Sequence, residues 1–135
     1  MASSQQVSEQ TVKPKGKHGT VLIIDDDEQH LKIYCWMLQR QGYECLPALV
    51  GSTSVDLPET KKVCLALLDY RLKSSLTAAD VAERLKTDFP KIPIVILSEL
   101  PWMPQDAQAY AQAFVHKGEH ERLFETVAKF CAQST

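Results

Sequence analysis

The chain has 135 residues, 44% of them hydrophobic and 24% charged, which suits one globular domain with a core of its own and is too little for two. With 15 basic and 17 acidic side chains the formal net charge is -2, and no basic stripe or polybasic patch stands out, which argues against direct nucleic-acid binding and against a charged membrane contact. No apolar stretch approaches the roughly 20 residues of a spanning helix, and the polar N-terminus has none of the character of a secretory signal.

Residues 1–18, MASSQQVSEQTVKPKGKH, are rich in Ser, Gln and Lys and carry Pro14 and Gly16, so they cannot bury enough apolar area to offset ordering; they read as a flexible tail, with the folded domain over residues 19–135. From Thr20 the run VLIID, β-branched and apolar up to its acidic end, has the pattern of a strand buried on both faces. Asp27 can cap the helix that follows over about residues 28–41, with Leu31, Tyr34, Cys35 and Leu38 at helical spacing and Gly42 at its end. YECLPA predicts a short strand. A weak helix, compromised by Pro58, is expected from Gly51 to about Thr60. VCLALLD repeats the first strand's pattern. TAADVAERLKTDF predicts a helix with Val81, Leu85 and Phe89 on one face, stopped by Pro90. IPIVILS is a fourth buried strand, PWMPQDAQAYAQ holds a short helix from near Pro104, AFVHK is a fifth strand, and EHERLFETVAKFCAQ is an amphipathic helix after Gly118.

Five alternations of strand and helix with short connections imply an α/β, doubly wound fold with a parallel sheet between two helical layers. Ligands of such folds sit beyond the carboxyl ends of the strands, where this sequence places Asp25, Asp26, Asp69, Ser98 and Lys117. Two like charges about 4 Å apart repel by about 4 kcal/mol at an effective dielectric of about 20, so three convergent carboxylates call for a cation. Mg2+ fits, since it takes oxygen ligands and shares them between carboxylates and a phosphate. No zinc-like cluster competes: the four histidines, His18, His30, His116 and His120, are scattered and read as surface residues, and Cys35, Cys45, Cys64 and Cys131 lie far apart, without a C-x-x-C pair, as reduced packing residues of a cytoplasmic protein would. With charge neutralised, one carboxylate can attack a phosphoryl group to form an aspartyl phosphate, with Lys117 and the Ser98 hydroxyl on the transferred oxygens. Asp27 and Glu28 suit a helix N-terminus without further purpose.

VLIIDDDE, LALLDYRL, IVILS and FVHK, in that order, resemble the signature blocks of response-regulator receiver domains, and the resemblance covers residues 20–130. It implies a flavodoxin-like fold of five parallel strands, with Asp69 as the residue phosphorylated by a histidine kinase or phosphotransfer protein. It further implies Mg2+ held by Asp26 directly, by Asp25 through water, by Asp69 and by the carbonyl of Arg71. Ser98 would be the switch hydroxyl, Lys117 the phosphate partner and Phe114 the rotating switch aromatic, although an aromatic in a short strand also simply packs. Output would pass to a downstream protein through the face of the fourth helix, fifth strand and fifth helix. Such a domain is a phosphoacceptor that catalyses only its own phosphotransfer, not an enzyme with turnover.

The sequence also departs from the family pattern. Gly118 follows Lys117 where a proline is usual, and Glu99 follows Ser98 where a small residue is usual, putting a bulky anion at the entrance. The interval from Ser98 to Lys117 is about three residues short, close to one helical turn, so the fourth helix should be reduced. Trp102 and Met103 at its start suit either burial or a partner contact. The stretch after Asp69, RLKSSLTAAD, lacks the usual proline and glycine. These departures motivate an alternative: a degenerate receiver that binds proteins without being phosphorylated. A phosphohydrolase is disfavoured, because Tyr70 and Arg71 follow Asp69 and no second aspartate stands two positions on as general acid.

Overall fold

Apolar runs without polar alternation can satisfy their backbone and lose their side chains from water only at the centre of a layered domain, and that is where they lie. A computed structural model of the chain describes residues 18–59 and 62–133. Its elements are β1 (Thr20–Asp25), α1 (Glu28–Arg40), β2 (Glu44–Leu49), β3 (Leu65–Asp69), α2 (Ala78–Asp88), β4 (Ile94–Ser98), a 3-10 helix (Gln105–Ala109), β5 (Ala113–His116) and α3 (His120–Gln133). The strands form one parallel sheet in the order β2-β1-β3-β4-β5, so the chain reverses direction across the sheet between β1 and β3.

Alternate residues of each central strand feed two cores. On one side Val21, Ile23, Leu65, Leu67, Val95 and Leu97 pack with Leu31, Tyr34 and Leu38 of α1 and Leu123 and Val127 of α3. On the other, Leu22, Ile24, Ala66, Leu68, Ile94 and Ile96 pack with Val81 and Leu85 of α2 and Ala107 of the 3-10 helix. The helix starts are chemically specified. The Asp27 side chain accepts from the backbone N–H groups of Gln29 and His30, and Thr77 and Asp80 form a reciprocal capping box at α2.

The tail expected over residues 1–18 falls outside the described residues except for His18. That residue donates its N–H to the Gly42 carbonyl at 3.1 Å, and its ring lies 5.6 Å from that of Tyr43. Gly42, at φ +95°, has no side chain to spare here, because a Cβ would come within 2.3 Å of the His18 ring.

Two expectations need correction. The weak helix from Gly51 is absent among the described residues. The chain instead makes an antiparallel bridge, Val50 to Val55, and Val50, Val55 and Leu57 cover the core from a loop. Gly51, Ser52, Thr53 and Ser54 are poor helix formers, and burial of the two valines is reached without one. Among the described residues the layers therefore hold three α-helices and a 3-10 helix rather than five helices; the fourth is reduced to Gln105–Ala109, as the short interval predicted.

The cysteines are also not isolated thiols. Cys35 of α1 is disulfide-bonded to Cys45 of β2, and Cys64, just before β3, to Cys131 of α3, with Cα separations of 5.3 and 4.9 Å; no free cysteine remains among the described residues. Partners 10 and 67 residues apart meet only when a helix packs on the sheet, so local spacing did not show them.

Candidate functional site

Three strands deliver polar side chains to one rim. β1, β3 and β4 end at Asp25, Asp69 and Ser98, and register aligns them, with Ile24 opposite Leu68 and Asp69 opposite Leu97. Among the described residues the buried polar or charged side chains are these same three, exposed by 3%, 4% and 2%. Burying such groups is costly without partners, so their convergence calls for a chemical reason. Asp26, Arg71, Glu99 and Lys117 line the same recess.

Lys117 follows β5 and its backbone N–H donates to the Ser98 carbonyl at 2.8 Å, which holds it level with the rim. Its Nζ lies 2.6 Å from Asp69 Oδ1. Burial disfavours the ammonium, but the hydrogen bond to Asp69 and the charges of Asp69 and Asp25 outweigh it and raise the Lys117 pKa. Gly118 sits at φ +97°, and the pairing with Asp69 is made without a cis peptide bond.

The Asp69 carboxyl is pushed up to about 6, first by burial; the Lys117 hydrogen bond opposes this, while the charges of Asp25 and Asp26 reinforce it. Burial likewise raises Asp25, against the hydrogen bond from the Asp27 N–H. Excess negative charge is thus stored at the rim. Asp25, Asp26 and Asp69 each offer a carboxylate oxygen within 4.8 Å of the others, a donor set that suits a hard divalent cation such as Mg2+.

Both oxygens of Asp25 are engaged: Oδ1 accepts from the Asp27 N–H at 3.1 Å, and Oδ2 faces His30 Nδ1 at 3.2 Å. The Asp26 carboxylate accepts from the backbone N–H of Lys73, which docks the stretch after Asp69 onto the acidic pair. Ser98 Oγ accepts from the Leu100 N–H at 3.1 Å and so also serves as a turn residue. Glu99 is exposed at the recess, and its carbonyl lies 3.0 Å from His116 Nε2. Phe114 is not brought to the rim. It is half-buried against the α2-side core and borders a separate recess with Pro101, His116, Glu119 and Arg122.

Sequence reasoning missed three contacts. His30 lines the recess and contacts Asp25, although its side chain stays 45% exposed. Its position three residues after the cap Asp27, one helical turn, was the available signal. Lys73 reaches Asp26 across 47 residues, and Tyr70, next to Asp69, donates its hydroxyl to Asp106 of the 3-10 helix at 2.6 Å; neither leaves a mark in local spacing.

The family model of response regulator receiver domains matches residues 21–128. The chain belongs to this family. Among curated relatives of this receiver, the polar-differentiation response regulator DivK of Brucella anthropi is 28% identical over 104 residues, covering 77% of this chain and 74% of that protein. Among solved structures, NtrX of Brucella abortus in complex with ATP superposes with TM-score 0.73 at 21% identity, over 87% of this chain but only 28% of that one. TrrA of Thermotoga maritima, in complex with Mg2+ and beryllium fluoride, gives TM-score 0.65 at 18% identity over 83% of this chain and 98% of that one. These structural likenesses establish the common fold.

Proposed function

We propose that this receiver accepts a phosphoryl group on Asp69 from a histidine kinase or phosphotransfer protein and passes the signal on through protein contacts. The observation that carries this is the buried Asp69 carboxylate, set between Lys117 Nζ at 2.6 Å and the carboxylates of Asp25 and Asp26. In the transfer, an Asp69 oxygen bonds to phosphorus as the bond from phosphorus to the donor imidazole nitrogen breaks and the imidazole leaves. Asp26, Asp69 and the Arg71 carbonyl, with Asp25 assisting through water, would hold Mg2+, which would supply positive charge to offset the negative charge gathering on the phosphoryl oxygens. Lys117 follows those oxygens from its present partner, Asp69 Oδ1, and the Ser98 hydroxyl donates to another. Acceptance is a single event on the protein's own residue, and we read the chain as a phosphoacceptor without turnover.

Ser98 and Phe114 would then act as the switch pair, biasing the face made by the 3-10 helix, β5 and α3 towards a downstream protein. Trp102, 68% exposed, lies in the loop between β4 and the 3-10 helix. We read the setting as cytoplasmic; among the described residues no helix is long and apolar enough to cross a membrane. Two disulfides would have to persist there against a reducing thiol pool. Alkylation at the moment of lysis followed by intact-mass analysis tests that setting: four modified thiols support it, and none argues for an oxidising compartment.

The second reading, a partner-binding receiver that is not phosphorylated, is favoured by Glu99 at the recess and by the reduced fourth helix. Beryllium fluoride with Mg2+, the pair present in the TrrA complex, is the probe for an acyl-phosphate site. Wild type should form a stable adduct by native mass spectrometry that Asp69→Asn does not form. Equal behaviour of the two proteins would sink phosphorylation and leave the second reading.

A further inference from the structure

The Asp25 carboxylate is 3% exposed, so its oxygens depend on partners inside the protein. A backbone N–H of the β1 to α1 turn serves Oδ1, at a distance any sequence could supply. Oδ2 is served by a side chain, His30, through Nδ1 at 3.2 Å. The imidazole stands in the first turn of α1, where its own backbone N–H bonds the Asp27 cap at 3.4 Å, so ring and carboxylate are tied to one rigid helix start. With hydrogen on Nδ1 the ring donates to the Asp25 carboxylate, and its Nε2 lies 3.6 Å from Asp27 Oδ2, so both ring nitrogens face acidic oxygens of the β1 to α1 turn. The other two aspartates have their own anchors, Lys73 N–H for Asp26 and Lys117 Nζ for Asp69.

We propose that His30 is a positioning residue for the cation site: its Nδ1–H pins Oδ2 of Asp25 so that the remaining lone pairs of that carboxylate stay turned towards Asp26 and Asp69. The inference rests on the reading of the acidic trio as a Mg2+ site and adds a residue outside that trio. Hydrogen-bond donors behind metal-binding carboxylates set affinity by fixing orientation, commonly by 10–100-fold.

The test is Mg2+ titration of the full chain by isothermal calorimetry, with urea unfolding in EDTA recorded alongside. His30→Ala is expected to weaken Mg2+ binding about tenfold. His30→Asn, whose amide nitrogen takes the place of Nδ1, is expected to recover most of that loss. Recovery by a donor, against loss with alanine, separates positioning from packing, because a packing role alone moves the unfolding midpoint and leaves the Mg2+ affinity of the folded protein in place. Unchanged affinity in His30→Ala, or Asn as weak as Ala, overturns the role of His30 while leaving the site intact. Absence of Mg2+ binding in wild type overturns the site itself, and the inference with it.

Discussion

Asp69 carries a cost at the rim that its proposed role would explain. Its carboxyl titrates near 6 in the folded chain against an ordinary value of 3.8, so the folded state holds that proton more tightly than the unfolded state does. Stability from this group is full below about pH 4 and is lost as pH rises through about 6, where the charged form is buried and faces Asp25 and Asp26. In EDTA at pH 7.5, Asp69→Asn should therefore be more stable than wild type by about 1–2 kcal/mol in urea unfolding, and the gain should vanish near pH 4. Glu99 belongs to the same scale. Its carboxylate repels an anionic donor at the recess, so Glu99→Ala should be phosphorylated by acetyl phosphate about threefold faster or more, at low salt, with the difference shrinking as salt is added. Equal rates would show that the side chain does not guard the entrance. Asp25, Asp26, Asp69, Ser98 and Lys117 were legible in the sequence because each ends or follows an apolar strand run. His30 and Lys73 were not, since they reach the rim from a helix turn and a distant loop.

At the scale of elements, strands read well because burial on both faces leaves an unbroken apolar run, and α1 and α2 read well because cap residues and helical spacing agree. The stretch after Gly51 read badly. There, two buried valines in a bridge do what a helix was expected to do, and no periodicity distinguishes the two solutions. The reduced fourth helix raises a different question, namely what holds five residues of 3-10 geometry in place. Apart from Ala107 in the core, the Tyr70 hydroxyl bound to Asp106 fastens it to the end of β3, beside Asp69. Tyr70→Phe should lower stability by about 0.5–1.5 kcal/mol and accelerate amide hydrogen exchange over residues 105–111. Exchange there that matches wild type would mean the hydroxyl is incidental.

For the whole molecule, the cysteine pairs are the least expected feature. The disulfides close loops 10 and 67 residues long in sequence separation, and each is expected to contribute about 2–4 kcal/mol by restricting the unfolded chain. Purified protein alkylated without reduction should gain no adducts. Alkylation after reduction should add four, with a loss of thermal stability. Composition had pointed to packed thiols because spacing along the chain carries no information on which helix lies against which strand.

Both disulfides secure α1 and α3, the layer on one side of the sheet, while the opposite layer has α2, a five-residue 3-10 helix and the loop carrying Val55. The molecule therefore has a mechanical polarity, an anvil on one side and a spring on the other. If the proposed phosphoryl group loads the rim, the chain is expected to give on the side where the covering is light, around the 3-10 helix, while the stapled side stays in place.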